Sequence, residues 1–451
     1  MSLPRRPDVP EPRLPRRPVR SPLSKEHSPV TTDVPARIED LPRRQAQRRS
    51  LIVLVAAQVL SGAGLAAGVT VGALLAQDML GSTGLAGLPS AVGTAGSALA
   101  AVAVGRMSQA HGRRPGLAAG YLAGAVGSVG VIAAAVAGSP VLLFLALFVY
   151  GAGTATNLLA RYAGADLAAP AHRARAVSTV LVATTLGGVA GPSLAAPTGH
   201  LAHALGIPDL AGPFLLAGAA YALAASVLAV WLRPDPLRLA RALEAEAAAA
   251  PYRQPGDADG RPRPAVERRR PAVLVGALIM VVTQLIMVAI MTMTPVHMHD
   301  HGHGAAASGL VIAVHIGAMY LPSPLTGWLA DRYGSLTIAA ASGSALLAAG
   351  IVAARAPDDS VASFAVALTL LGLGWNLGLV SGTAIITDAV PLATRARTQG
   401  LVDVSVSIAG ATGGLASGLV VAVAGYPVLA IGGGVLALAI VPAVVAAARS
   451  R

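Results

Sequence analysis

The chain has 451 residues, 54% of them hydrophobic and 12% charged, with mean hydropathy +0.66 and a formal net charge of +12. Soluble domains carry about 25% charged residues, so the composition excludes a soluble globular protein and points to a membrane one. With no cysteine, disulfides, thiolate metal sites and cysteine nucleophiles are excluded as well.

Residues 1–49 hold ten prolines, twelve basic and six acidic residues and no apolar run. Such a stretch buries too little apolar surface to fold, and predicts a disordered basic cytoplasmic tail in reach of anionic lipid headgroups. From Leu51 onward, apolar runs of span length recur near 51–76, 84–104, 116–137, 141–164, 176–197 and 211–232. A polar stretch over 233–270 follows, opening with a short amphipathic helix and ending rich in Pro, Gly and Arg; it reads as a cytoplasmic tether. Six more runs lie near 272–295, 306–328, 336–355, 361–386, 399–424 and 427–447. The expected architecture is all-α and integral to the membrane. It has twelve transmembrane helices in two six-helix bundles, 50–232 and 271–451, with both termini on one side.

Arginine assigns that side. Of the 33 basic residues, twelve fall in the tail, nine in the tether, and most others in turns on the same side, among them Arg106, Arg113, Arg114, Arg173, Arg175, Arg332, Arg395 and Arg397. This is the positive-inside pattern of a multi-pass plasma-membrane protein with both termini cytoplasmic. It accounts for the net charge without nucleic acid.

A shift of 222 residues superposes the two halves. Gly87 falls on Gly309, Gly105 on Gly327, Gly112 on Gly334, and Asp166 on Asp388. Arg173 falls on Arg395, Arg175 on Arg397 and Gly191 on Gly413. A six-helix unit has been duplicated in parallel, which predicts a pseudo-twofold along the membrane normal and a substrate site between the halves at the midplane.

On these residues the chain resembles the major facilitator superfamily from about 50 to 448. Its hallmark, Gly-x3-Asp-Arg-x-Gly, is intact as Gly327, Asp331, Arg332 and Gly334. The first-half copy keeps Gly105, Gly112, Arg113 and Arg114 but has Gln109 and Ala110 in place of the acid and the arginine. The resemblance implies inner gates at these loops, with Asp166 opposite Arg113 or Arg114, a weaker latch at Gln109 and the stronger one at Asp331. It also implies a monomer working in lipid. The drug/proton antiporters of the superfamily share Gly187, Gly191 and Pro192, but Leu147 stands where their helix-4 arginine belongs.

An ATP-driven pump is excluded, because the only lysine is Lys25 in the tail and no P-loop lysine exists. No nucleophile stands at a readable spacing from a histidine and an acid, so an enzyme is not expected. Secondary transport remains. Asp403 is the one acid clearly within a span, about 9 Å beyond Arg397 at 1.5 Å per residue. Two readings of it stand: a proton relay, or an acid stabilising the start of its helix. Gln58, Gln284 and Asn376 read equally well as cavity groups and as bundle hydrogen bonds.

Six of the nine methionines lie between 280 and 319. Met280, Met287 and Met291 form one stripe of the seventh span, and His315 and Met319 one face of the eighth. Thioether and imidazole suit Cu(I) when thiolate is absent, although methionine also fills gaps between packed helices. The CcoA-like copper importers of the superfamily carry Met-x3-Met and His-x3-Met in these two helices, and the resemblance implies that Met287, Met291, His315 and Met319 bind copper as cargo. The same subgroup is associated with riboflavin transport. Between these spans, His297, His299, His301 and His303 alternate beside Asp300 and, if extended, present one face as an outer capture site for a metal ion. The expectation is copper uptake with no resident cofactor. The alternatives are a proton-coupled carrier of a small organic compound, by riboflavin-like uptake or drug efflux, and a metal-binding membrane protein that does not turn over.

Overall fold

The computed structural model describes residues 35–80, 88–249 and 269–449. Met1–Leu41 forms a separate unit, of which only the helical backbone over 35–41 is described; apart from that backbone, everything below concerns Pro42–Arg451. The first 34 residues of the expected tail, Lys25 among them, and the second part of the tether lie outside the described residues, as does Gly87. No strand occurs among the described residues.

The first half consists of α1 (Pro35–Leu80), α2 (Leu88–His111), α3 (Arg113–Ala137), α4 (Pro140–Ala165), α5 (Arg173–Ser193), α6 (Ala195–Ala204) and α7 (Gly212–Trp231). The tether contributes the amphipathic α8 (Pro236–Ala249). The second half holds α9 (Arg269–Asp300), α10 (Ala305–Tyr320), α11 (Ser323–Tyr333), α12 (Ser335–Arg355), α13 (Val361–Ala389), α14 (Arg395–Ala424), α15 (Tyr426–Ala437) and α16 (Ile440–Arg449). Nine helical stretches among the described residues are long and apolar enough to cross a membrane. Each half encloses its own apolar core, around Tyr121 and Tyr221 in the first and around Met287, Phe364 and Trp375 in the second.

Four expectations of local structure change. Helix begins at Pro35, so residues 35–49 are not coil. The reason lies at the open end of α4: Arg43 Nε donates to Leu167 O at 3.0 Å and Gln47 Nε2 to Gly164 O at 2.7 Å. One helical face thereby satisfies carbonyls that the end of α4 leaves without partners. The eighth span breaks into α10 and α11 at Leu321–Pro322, because Pro322 supplies no backbone donor and Pro324 follows within the first turn of α11. The twelfth breaks into α15 and α16 between Ala437 and Ile440.

The histidine loop, expected to be extended, is helical to Asp300 and closes in a Schellman turn. Gly302, with φ 83°, donates to His299 O at 3.0 Å, and His303 N donates to Met298 O at 3.0 Å. Glycine at this left-handed position is what lets the helix reach past His297 and His299 before turning.

Candidate functional site

Between the halves lies a cavity of about 400 Å³. Its wall is made by α2 (Thr94, Ser97), α4 (Thr154), α9 (Gln284, Thr292) and α14 (Ser407, Gly410), with apolar Val288 and Leu158 among them. Among the described residues no charged group lines it; the polar side-chain atoms are hydroxyls and one primary amide. Trp375 Nε1 donates to Gln284 Oε1 at 2.8 Å, which fixes the amide so that its NH2 end is the free one. A side chain at Gly410 would sit 3.2 Å from that nitrogen, so Gly410 supplies the room it occupies. Gln284 therefore belongs to the cavity. Gln58 and Asn376, both fully buried, serve their bundles instead. Gln58 Nε2 donates to Asn157 O at 3.1 Å and to Thr184 Oγ1 at 3.0 Å. Asn376 Nδ2 donates to Met319 O at 2.7 Å and to Ser323 Oγ at 2.6 Å.

One turn below Leu158 and Ser407 stands a buried charge cluster that joins the halves. Arg161 on α4 reaches Asp403 on α14, Nη2 to Oδ1 at 2.7 Å and Nη1 to Oδ2 at 3.3 Å. Its Nε donates to Thr383 Oγ1 at 3.1 Å, its Nη1 also to Leu158 O, and its Nη2 also to Tyr162 OH at 3.1 Å. All five guanidinium hydrogens are used, and the plane lies over the Tyr162 ring at 4.3 Å. Tyr162 OH donates to Asp403 Oδ1 at 3.2 Å. Asp403 is thus the counter-ion of Arg161 and not a cap for the start of α14. Arg161, to which the sequence analysis assigns no role, is the partner of Asp403. Its signal was available: it falls inside the fourth span, 141–164.

The arginine-rich end is sealed by two latches related by the 222-residue shift. Asp331, at the end of α11, accepts from Ala174 N at 3.0 Å and Arg175 N at 3.1 Å, the first turn of α5. Gln109, its mate at the end of α2, accepts through Oε1 from Ala396 N at 2.8 Å and Arg397 N at 3.4 Å, the first turn of α14. Both place oxygen at a helix N-terminus, where unpaired N–H groups and the dipole favour it. Gln109 adds what a carboxylate cannot: its Nε2 donates to Leu392 O at 3.2 Å and to Ala393 O. The latch expected to be weaker thus holds both faces of the turn through one amide, while Asp331 adds an ion pair with Arg175 at 3.7 Å.

Glycines let the helices meet beside the latches. A Cβ at Gly105 would lie 3.0 Å from Ala396 O, and one at Gly327 2.7 Å from Ala174 O. Gly112 and Gly334 are the turn residues that open α3 and α12.

Ion pairs complete the seal. Asp166 takes Arg113 at 2.8 Å, with Arg395 at 3.9 Å from its other oxygen. Arg173 pairs with Asp388, the symmetry mate of the Arg395–Asp166 contact. Arg113 also donates to Gln399 Oε1 of α14. Arg114 takes no part with Asp166 in the contacts described; its backbone N–H donates to Asp235 Oδ2 at 2.7 Å. Asp235 Oδ1 accepts from Leu237 N and Arg238 N, each at 3.1 Å, so one carboxylate caps both α3 and α8. Arg332 lies 5.8 Å from the Tyr333 ring.

Met287, Met319 and His315 are buried and Met291 is half-buried, Met287 and Met319 in the core of the second half with Met291 packed against it. The two stripes do not simply face each other. Met280 turns its sulfur to within 3.2 Å of a Cβ position at Gly382 of α13. His315 Nδ1 lies 2.8 Å from Leu368 O, also on α13. Gly372 makes the room for this contact: a Cβ there would lie 2.6 Å from His315 O, so only a residue without a side chain lets α13 pack this close to α10. That bond makes Nδ1 the donor and leaves the buried Nε2 as a lone pair without a partner. At the other end of α9, the four loop histidines separate. His297 and His301, one turn apart, converge on Asp358, whereas His299 is exposed and His303 Nε2 donates to Asp358 O at 2.7 Å.

Comparison with known proteins supplies the family context. Residues 54–378 and 323–451 match the description of the Major Facilitator Superfamily. The MFS-type transporter YdeG of Bacillus subtilis (strain 168) is 54% identical over 403 residues, 89% of this chain and 93% of that protein. The riboflavin transporter RfnT of Brucella anthropi is 30% identical over 362 residues, 79% of this chain and 85% of that one. Among solved structures, the human organic anion transporter MFSD10 superposes with a TM-score of 0.68 at 16% identity, covering 88% of this chain and 99% of its own.

Proposed function

The chain belongs to the major facilitator superfamily, a family of membrane transport proteins and not of enzymes, and from that premise we propose that it is a secondary active transporter of a small organic solute. The carrying observation is the cavity between the halves: about 400 Å³, lined among the described residues by hydroxyls, apolar groups and the oriented Gln284 amide, with no charge. Cavities of about 300–1,000 Å³ with a few placed polar groups take drug-sized ligands. Gln284 and the hydroxyls of Thr94, Thr154 and Ser407 suit a flat solute with several ring acceptors and donors, the class of riboflavin, which the Brucella relative is named for carrying.

Coupling falls to the Arg161–Tyr162–Asp403 cluster under the cavity floor. A proton on Asp403 removes the counter-charge that holds α14 to α4, so the bridge between halves loosens as the cavity changes access. The arginine distribution supports a plasma-membrane orientation with both termini cytoplasmic. All of the described lining of the cavity comes from one chain, which supports a monomer as the working unit.

The test is uptake of labelled riboflavin by vesicles holding the purified protein under an imposed proton gradient. Wild type accumulates it, Gln284→Ala raises KM at least tenfold, and Asp403→Asn removes the dependence on the gradient. Equal accumulation by protein-free vesicles overturns the reading.

One observation favours a second cargo. His315 presents a buried, unpartnered Nε2, its tautomer set by Leu368 O, in the half that buries Met287 and Met319. Such a lone pair is the kind of ligand that Cu(I) takes together with thioethers. Cellular copper accumulation that falls in His315→Ala and in Met287→Ala, Met291→Ala or Met319→Ala supports copper as the cargo. Copper levels unchanged in all four exclude it.

A further inference from the structure

We infer that the outer end of α9 carries a site for a borderline divalent cation of the zinc class, built from His297, His301 and Asp358. The site is separate from the cavity, and the inference holds whichever solute the cavity carries.

Three features of the geometry carry it. The first is spacing. His297 Nε2 lies 3.3 Å from Asp358 Oδ1, His301 Nε2 lies 3.6 Å from Asp358 Oδ2, and all three ligand atoms fall within 4.8 Å of one another. Two Zn–ligand bonds of about 2.1 Å at a tetrahedral angle put their donors roughly 3.4 Å apart. Each histidine already stands near that separation from one oxygen of the Asp358 carboxylate.

The second is the tautomer. His301 Nδ1 lies 2.8 Å from His297 O, one helical turn back, so Nδ1 carries the hydrogen and donates it. The lone pair of Nε2 is then aimed at a carboxylate oxygen. Two acceptors facing each other repel unless a proton or a metal cation lies between them. A backbone carbonyl holding the far ring nitrogen is also the usual outer-shell support of a metal-bound histidine.

The third is rigidity. His297 stacks on Tyr426 at 4.5 Å and 14° and meets Phe364 edge-on at 5.6 Å, which fixes its ring plane. His303 holds the backbone of Asp358 through its carbonyl at 2.7 Å. The Schellman turn at Gly302 sets His301 and His303 in register for these roles. The site is reachable from solvent, since the side chains of His301 and Asp358 are 38% and 62% exposed. A bound cation would tie the end of α9 to the loop between α12 and α13, and water completes its coordination.

The test is calorimetric titration of the purified full-length protein with zinc chloride, alongside Co(II) absorption spectra. Wild type is expected to bind one Zn(II) and to give d–d bands of a nitrogen- and oxygen-ligated Co(II). His301→Ala and Asp358→Asn each weaken binding at least tenfold and abolish the bands. His299→Ala and Asp359→Asn, at exposed neighbours of the site, leave both unchanged. Size-exclusion profiles check that every variant is folded, and none of these readouts needs transport. Absence of saturable binding by wild type overturns the inference. So does an equal loss in His299→Ala, which reveals unspecific uptake by a histidine-rich loop, or full binding by His301→Ala, which leaves only a protonated histidine paired with Asp358.

Discussion

Arg161 and Thr383 occupy the same position in the two repeats, 222 residues apart, and they touch: Arg161 Nε donates to Thr383 Oγ1 at 3.1 Å. Residues in contact with their own symmetry mates flank the pseudo-twofold axis. The axis therefore passes between Arg161 and Thr383, and the duplication is broken there in charge. Asp403 answers Arg161 from the second half, while the matching position in the first half is Leu181. A symmetric shell thus carries one asymmetric ionic bridge, directly below the cavity.

Removing one partner of that bridge leaves a charge with no counter-ion in a buried place, at a cost of about 3–5 kcal/mol. Asp403→Ala and Arg161→Ala are each expected to lower the thermal unfolding midpoint in detergent strongly. The double variant Arg161→Ala/Asp403→Ala recovers part of the loss, because no unpaired charge remains. A double variant less stable than either single one refutes the account.

The two latches predict an unequal response to the same swap. Gln109→Asp recreates the hallmark acid and keeps an acceptor for Ala396 N and Arg397 N, but it gives up the bonds to Leu392 O and Ala393 O. At about 1 kcal/mol per hydrogen bond, the exchange destabilises by roughly 1–2 kcal/mol despite the dipole's preference for a charge. Thermal melts of Gln109→Asp and Asp331→Asn check this, and a more stable Gln109→Asp contradicts it.

The helices meet at the arginine-rich end through contacts at Gly327, which leave no space for a side chain, and at Gly105, where a Cβ would be tight at 3.0 Å from Ala396 O. Gly327→Val, and likewise Gly105→Val, is expected to hold that end open and to stop transport while the protein stays folded. The chain has no cysteine, so Ser407→Cys is a clean reporter. In either valine background it gains reactivity toward a maleimide supplied from the arginine-rich side, at least fivefold over Ser407→Cys alone. Unchanged labelling refutes the closure model.

Asp235 caps α3 and α8 with separate oxygens, so Asp235→Ala uncaps two helices at once. With caps worth about 1 kcal/mol each, a loss near 2 kcal/mol is expected. Asp235→Asn, which keeps one carbonyl acceptor, retains about half. Paired thermal melts distinguish the two; equal losses assign the effect to the charge and not to the caps.

Much of the molecule is legible in its sequence because it depends on quantities that are local to a segment. Hydropathy over twenty residues marks the spans, arginine marks one side, and a constant offset between glycines and charged residues reveals the duplication. The helical end of the histidine loop was also within reach, since Gly302 stands at the position where a helix commonly closes. Pairings across segments were not readable in this way. That Arg161 meets Asp403, that Gln109 replaces an acid at a helix start, and that Asp358 joins His297 and His301 all depend on how helices 50 to 290 residues apart are packed. The positions of the metal-like side chains show the same limit: a spacing of four places Met287 with Met291 and His315 with Met319 on faces, but Gly372 decided that His315 turns to α13. Periodicity states which residues share a face. Which neighbour that face meets is a property of close packing, and only the tertiary structure decides it.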